Sequence, residues 1–207
     1  VSGLIEKILR TLLDHVIEKY HKWLLERKAM PNEIAVYELC SCRQKSIFNR
    51  SLPELILSES LRPGSIIGEL IHEGLEKIFG YEEKVFKKSI DIEGVKYTLC
   101  GQPDYFDGEV LIDFKYTTAP EHTLPKEHHL LQVKLYKWIT EAKEAYILYI
   151  TPRGLFTIKV EECLADDDVR RLFETWSSPR FPWECAQCLY RSHCPHAKAH
   201  KEAETRK

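Results

Sequence analysis

The chain has 207 residues, enough for one fair-sized domain with a small appendage. Its 30 basic and 32 acidic side chains leave a formal net charge of −2, so no overall basic field attracts nucleic acid and any such contact must be local. No apolar run approaches the ~20 residues that a membrane span needs.

Leu4, Ile5, Ile8, Leu9, Leu12, Leu13, Val16, Ile17, Tyr20, Trp23 and Leu24 recur at helical spacing and predict one long amphipathic helix. Glu6, Lys7, Arg10, Asp14 and Glu18 interrupt its apolar character, which argues against a secretory signal core and makes a cytoplasmic location the expectation. Pro31-Asn32 ends that region, and a short element carries Ile34 to Phe48. Pro63-Gly64-Ser65 reads as a helix start with Ser65 as N-cap, and the helix runs to about Phe79 with Gly80 as its stop. Strand-like segments follow at 84–90, 95–100 and 110–115, separated by Glu93-Gly94 and Asp107-Gly108, a pattern that predicts a meander. Residues 124–143 read as a helix, 145–151 and 155–160 as strands joined around Pro152-Arg153-Gly154, and 166–177 as a last helix. Pro179, Pro182 and Pro195 bracket an irregular, cysteine-rich tail. This order predicts an α/β (α+β) fold with one mixed sheet flanked by helices. It divides into an N-terminal helical region 1–62, a core 63–178 and a tail 179–207.

Gly101-Gln102-Pro103-Asp104 ends one expected strand and Asp113-Phe114-Lys115 ends the next. Residues two apart on a strand face one side, so Asp113 and Lys115 project into one site while Phe114 points to the core. If the two strands pair, Asp104 joins them. Two acidic oxygens and a backbone carbonyl, that of Phe114, suit a hard cation such as Mg²⁺ or Mn²⁺. The lysine can orient an attacking water and offset charge at a phosphoryl transition state. An isolated D-x-K is more often two strand-end groups of no special role, but G-x-P-D just before it makes the pattern far more specific. His72 and Glu76 in GELIHEGLE share a helix face, and His72 can give the same cation an imidazole, which favours Mn²⁺. Gln132 and Tyr136 share a face of the helix after Lys115 and can reach a phosphate by hydrogen bonds. Further local DNA contacts fall on Arg43, Lys45 and Arg50 and on Lys126, His128, His129, Lys134 and Lys137, although solvated helix faces explain most of these as well.

Together these motifs resemble the RecB-like branch of the PD-(D/E)XK nucleases. The resemblance covers about Gly68 to Tyr136 and implies a restriction-endonuclease-like core. It casts His72 as the helix histidine, Asp104 as the GxxD acid, Asp113 and Lys115 as the DxK pair, and Gln132 and Tyr136 as the QxxxY pair.

Seven cysteines make an odd number at spacings unlike those of a small secreted framework; in a reducing compartment such groups bind metal or iron–sulfur. Cys185, Cys188 and Cys194 form a compact three-ligand knuckle. Thiolates hold iron–sulfur clusters in fours, so one ligand must come from elsewhere, and Cys40 and Cys42 stand together as candidates. A Cys₄ zinc site is the nearest chemical alternative. Cys100 and Cys163 read as buried apolar residues, and His193, His196 and His200 as surface groups or groups beside the ligands.

The segment from Cys42 to Phe48 resembles the Cys-Pro-Arg-Lys segment of the CRISPR-associated RecB-like exonucleases, the Cas-four family, with Arg43 and Gln44 where Pro and Arg are usual. The resemblance runs from about Pro31 to Pro195. It implies a 4Fe–4S cluster (2Fe–2S in a variant form) on Cys42, Cys185, Cys188 and Cys194, with Lys45 and Phe48 in register. It also implies a metal-dependent exonuclease acting on single-stranded DNA, 5′ to 3′. The family's role is processing DNA for new spacers in antiviral defence, alongside adaptation proteins such as the integrase. Two rivals remain: a RecB-like repair nuclease working with a separate helicase, since no G-x-x-x-x-G-K-[ST] is present, and a catalytically silent iron–sulfur interaction module.

Overall fold

The computed structural model describes residues 2–27, 32–81 and 84–197, and of residues 2 and 23–27 the backbone alone. Pro31 of the expected helix end and His200 of the tail lie outside the described residues.

The long N-terminal helix forms as α1 (Ser2–Arg27). A short parallel strand β1 (Glu33–Ala35) leads into α2 (Val36–Leu39) and α3 (Arg43–Ser51), then a 3₁₀ turn at Pro53–Leu55 and α4 (Ile56–Ser60). The single short element expected between Ile34 and Phe48 is therefore three. Glu38 is buried and takes a two-pronged pair from Arg50, Nε to Oε1 at 2.9 Å and Nη2 to Oε2 at 2.8 Å, which fastens α2 to α3. On α1, Val16 and Tyr20 are buried, but Leu4, Ile5, Ile8, Leu9 and Leu13 stay 43–63 % exposed. Its tertiary polar contacts lie in the second half, His15 with Glu73, Lys19 with Glu69 and Glu73, and Tyr20 Oη with the Pro53 carbonyl. The helical period was legible; how much of the stripe is covered was not.

α5 (Pro63–Phe79) begins with Arg62 as N-cap and Pro63 in the first turn, about one helical turn earlier than the Ser65 cap expected. A proline there gives up an N–H that has no partner in any case. Gly80 ends it at φ 60, the left-handed stop that the sequence showed.

β2 (Phe86–Ile92) and β3 (Val95–Gly101) form the expected hairpin, with Glu93 and Gly94 both at positive φ (52 and 79). β1 joins β3 in parallel, giving a three-stranded sheet in the order β1-β3-β2. The meander stops there. A second sheet, β4-β5-β6-β7, consists of β4 (Tyr105–Phe106), β5 (Val110–Tyr116), β6 (Glu144–Thr151) and β7 (Gly154–Lys159). Only β5 and β6 run parallel in it. The one mixed sheet read from the sequence is thus two, and β3 does not pair with β5. Pro103 sits between β3 and β4 and has no N–H to continue a ladder, so the chain changes sheets there. The Asp107-Gly108 turn joins β4 to β5 instead.

α6 (Glu127–Thr140) packs against β6 of one sheet and β3 and β2 of the other. Val133, Leu135, Trp138 and Ile139 meet Leu99, Leu111, Ala145 and Ile147 in one core. The helix is shorter than the expected 124–143, starting after Lys126 and closed by Glu141 at φ 60. α7 (Asp166–Glu174) and α8 (Glu184–Gln187) complete the chain. Among the described residues no helix is long and apolar enough to cross a membrane.

Candidate active site

β5 presents Asp113 and Lys115 on one side, as the strand period requires, with Lys115 Nζ 2.8 Å from Asp113 Oδ2. Asp104 comes from the link that precedes β4, not from a strand paired with β5 through β3. Its Oδ2 accepts the Phe114 N–H at 2.5 Å, which ties the acid to the neighbouring strand by a different route from the one expected. Its Oδ1 lies 3.1 Å from His72 Nδ1 on α5. The Phe114 ring is buried and stacks on Phe79 at 6.0 Å. Direct contacts thus join His72, Asp104 and Phe114 in one set and Asp113 and Lys115 in another, the two sets meeting along β5.

Asp113 is 1 % exposed. Oδ1 has no hydrogen-bond donor among the described residues, and Oδ2 meets Lys115 as an ion pair without hydrogen-bond alignment. Burial pushes the carboxyl up to about 6, against the pull of Lys115 and with help from the Asp104 charge. Burial alone would lower Lys115, but Asp113 and Asp104 outweigh it and hold the ammonium above its ordinary range. His72 is likewise raised: burial opposes the charge, and the Asp104 hydrogen bond and charge overcome it. A buried carboxylate without donors is costly unless a cation completes it. The donor set, two carboxylates and an imidazole, suits a hard or borderline dication such as Mn²⁺ or Mg²⁺. Among the described residues no group of three or more His, Cys, Asp or Glu side chains is placed to hold a metal ion. The acids are instead engaged by Lys115 and His72.

Gln132 and Tyr136 do not reach outward as the sequence reading supposed. Gln132 Nε2 donates to Tyr136 Oη at 2.8 Å, and Tyr136 is buried. Burial, then the Asp113 charge, hold its phenol well above the ordinary range. Gly101 explains the position of the ring: a Cβ there would lie 2.9 Å from Tyr136 Cδ1 and 3.1 Å from Ile139 Cδ1. The first residue of the G-x-P-D run thus lets α6 close on β3. Of the other local DNA candidates, Arg50 is taken by Glu38 and Lys137 by the Val160 and Glu161 carbonyls. Lys134 pairs with Glu162.

Four of the seven cysteines come together and three lie apart. Cys42, Cys185, Cys188 and Cys194 line one pocket, with Lys45, Phe48, Glu184, His196 and Ala197 around them. All four thiols are free. Burial raises the Cys185 and Cys188 thiols, and neighbouring thiols of the set add to it. Four sulfurs on one pocket fit a thiolate-held group, and the donor chemistry suits iron–sulfur or zinc alike. Cys40 instead packs in the apolar core, where burial drives its thiol far up. Cys163 is exposed, not buried as expected, because it falls in the irregular link between β7 and α7. Glu184 holds the two ends of the chain together. Its Oε1 accepts the Cys42 N–H at 2.7 Å and its Oε2 the Arg180 and Phe181 N–H groups at 2.8 Å. Nearby, Arg43 N–H donates to the Ser177 carbonyl at 3.0 Å and Trp176 Nε1 to that of Ser41 at 2.8 Å. Glu184 carried no sequence signal of its own, and Gly101 entered the sequence reading only as the first residue of G-x-P-D.

The chain is 29 % identical over 205 residues to the CRISPR-associated exonuclease Cas4 of Saccharolobus solfataricus, an alignment that takes in 93 % of this chain and 96 % of that protein. The chain is Cas4-like. Its fold matches the crystal structure of SSO0001 with a TM-score of 0.83 at 27 % identity, over 92 % of this chain and 97 % of that one. An alkaline exonuclease, LHK-Exo from Laribacter hongkongensis, aligns at a TM-score of 0.44 and 15 % identity over 74 % of this chain and 87 % of that one, too remote to bear on the site. No family model matches the chain. The Cas4 resemblance read from two separate sets of motifs is borne out by similarity along nearly the whole chain.

Proposed function

We propose that the protein is a metal-dependent deoxyribonuclease that removes nucleotides from single-stranded DNA, 5′ to 3′. It would process DNA before insertion into a CRISPR array, beside an adaptation integrase. The observation that carries the reading is the buried Asp113 carboxylate, which has the half-buried Lys115 at 2.8 Å from Oδ2 and no donor on Oδ1 among the described residues. The relative's description as a CRISPR-associated exonuclease supports the substrate class.

His72, Asp104, Asp113 and the Phe114 carbonyl would hold Mn²⁺ or Mg²⁺. A dication bound there supplies a water of lowered pKa and neutralises charge on the scissile phosphate. Lys115 keeps its proton through its acidic neighbours and presents a fixed positive charge at the rim of the same site. It can hold a water by hydrogen bond and stabilise charge developing on the phosphoryl oxygens. Tyr136, buried and held by Gln132, lies close enough to Asp113 to feel its charge. Cys42, Cys185, Cys188 and Cys194 would hold a 4Fe–4S cluster. Bound to them, it crosslinks the two ends of the chain, a structural role.

End-labelled single strands incubated with and without Mn²⁺ test the reading, using the wild type, Asp113→Ala and Lys115→Ala. Cleavage should need the metal, vanish in Asp113→Ala and slow in Lys115→Ala with strand affinity kept. A strand blocked at its 5′ end should resist. Full activity in folded Asp113→Ala would refute the site, and cleavage of the blocked strand from its 3′ end would refute the polarity.

A further inference from the structure

An aromatic group lies beside the catalytic centre and plays no part in it. Lys115 on β5 stands opposite Tyr149 on β6 in the sheet register. Tyr149 Oη meets His129 Nδ1 at 2.8 Å, and the His129 and His128 rings are 4.2 Å apart. His128 in turn lies 5.0 Å from Trp183, which stacks on Phe181 at 5.8 Å with only 9° between the planes. The row thus runs from the active-site lysine to the segment before α8. Its inner members are covered, but Trp183 is 44 % exposed, unlike a ring whose role is to fill a core. His128 Nδ1 has no hydrogen-bond partner among the described residues, and neither does Arg180 Nη1.

The cations acting on His128 are Lys115, Lys126 and Lys45; Lys115 pairs with Asp113 and Lys45 with Glu59, and Glu184 accepts the Phe181 N–H. Burial, then Lys115, Lys126 and Lys45, hold His128 down to about 4, so the ring is neutral at physiological pH while the lysines near it are not. A flat, partly open ring pair with cations around it has the form of a seat for an unpaired base, because every base offers a π face and every nucleotide a phosphate.

We propose that Trp183, backed by Phe181 and flanked by His128, stacks an unpaired DNA base beside the active site, with Lys126 as the cation for an adjoining phosphate. This rests on the nuclease reading and explains how a chain of near-zero net charge would hold single strands: by stacking rather than by a basic surface.

The test is binding of a short fluorescein-labelled oligothymidylate by anisotropy, without divalent metal so that the strand survives. The same-length strand abasic throughout is the comparison, with Trp183→Ala and Trp183→Phe as variants. Trp183→Ala should weaken binding roughly 5- to 150-fold, the range for one base–aromatic stack, while Trp183→Phe keeps most of it. The wild type should bind the abasic strand about as weakly as Trp183→Ala binds thymidylate. Equal wild-type affinity for the two strands overturns the proposal and needs no variant to fold. So does wild-type affinity in a Trp183→Ala protein of unchanged circular dichroism, or equal affinity for a duplex. A wild type that cuts with Mn²⁺ but ignores the abasic change loses the seat and keeps the nuclease. One that prefers thymidylate and never cuts keeps the seat and loses the nuclease.

Discussion

Gly101→Ala tests whether the close approach of α6 to β3 sets the geometry of the site. The new methyl carbon would sit 2.9 Å from Tyr136 Cδ1 and 3.1 Å from both Tyr136 Cε1 and Ile139 Cδ1. Carbon–carbon contact lies at about 3.5–4.0 Å, so the overlap is more than half an ångström. Ile139 can yield by rotating its end. Tyr136 cannot, since its ring is rigid and buried and its hydroxyl is held by Gln132. Overpacking of this kind costs about 1–3 kcal/mol. Gly101 is not among the glycines at positive φ, so alanine also returns about 0.4–1 kcal/mol by restricting the unfolded chain. At mid-range the net loss is about 1.3 kcal/mol, and at roughly 2–4 °C per kcal/mol for a chain of this size the melting temperature should fall by about 3–5 °C. Differential scanning calorimetry at one metal concentration reads this directly. Single-turnover cleavage should fall as well, because the ring that must move flanks Asp113, and Gly101→Ala combined with Tyr136→Leu should recover part of the stability. An unchanged melting temperature in Gly101→Ala would refute the packing argument.

Acid should destabilise the protein through His128 and His129, which burial, and then Lys115, hold near 4 and 2 in the folded state against 6.5 unfolded. The unfolded chain then binds more protons, so stability present above about 6.5 is lost as pH falls towards 4, partly offset by Asp113, whose raised carboxyl favours the folded state as pH falls through about 6. His129→Asn should flatten the fall in a melting-temperature profile across that range; an unaltered profile counts against it. Glu184→Ala strips the acceptor from three N–H groups and should cost about 2–4 kcal/mol with a lower iron-to-protein ratio, whereas a fully loaded, equally stable variant would show that the clasp is unimportant. Cys42→Ser should bleach the purified protein and remove its acid-labile sulfide while Cys40→Ser leaves both, and the reverse result would move the fourth ligand into the core. A colourless wild type with one zinc would replace iron–sulfur by zinc.

What could be read beforehand depended on how local each feature is. The α5 stop at Gly80 and the Glu93-Gly94 hairpin are written in neighbouring residues, and both formed as expected. Asp113 and Lys115 share a face by strand period alone. The change of sheet at Pro103 was not legible, because a proline between two strand-like runs fits a turn in one sheet as well as a passage to another. β4 has only two residues, too few for any periodic signal, yet it puts Asp104 beside β5. The inward turn of Tyr136 depended on a glycine from a distant strand. The row from Tyr149 to Trp183 brings together residues whose types have no fixed spacing.

The clasp at Glu184 also bears on how the chain is made. Cys42 and its partner are 142 positions apart. At ~5–20 residues per second of synthesis, the first thiol waits roughly 7–30 s for the segment that receives it. Both sheets and α6 emerge within that interval, so the core can assemble before the pocket exists. Under the proposed function, a cluster would be taken up only at this closing stage, once the tail thiols join Cys42 in the pocket.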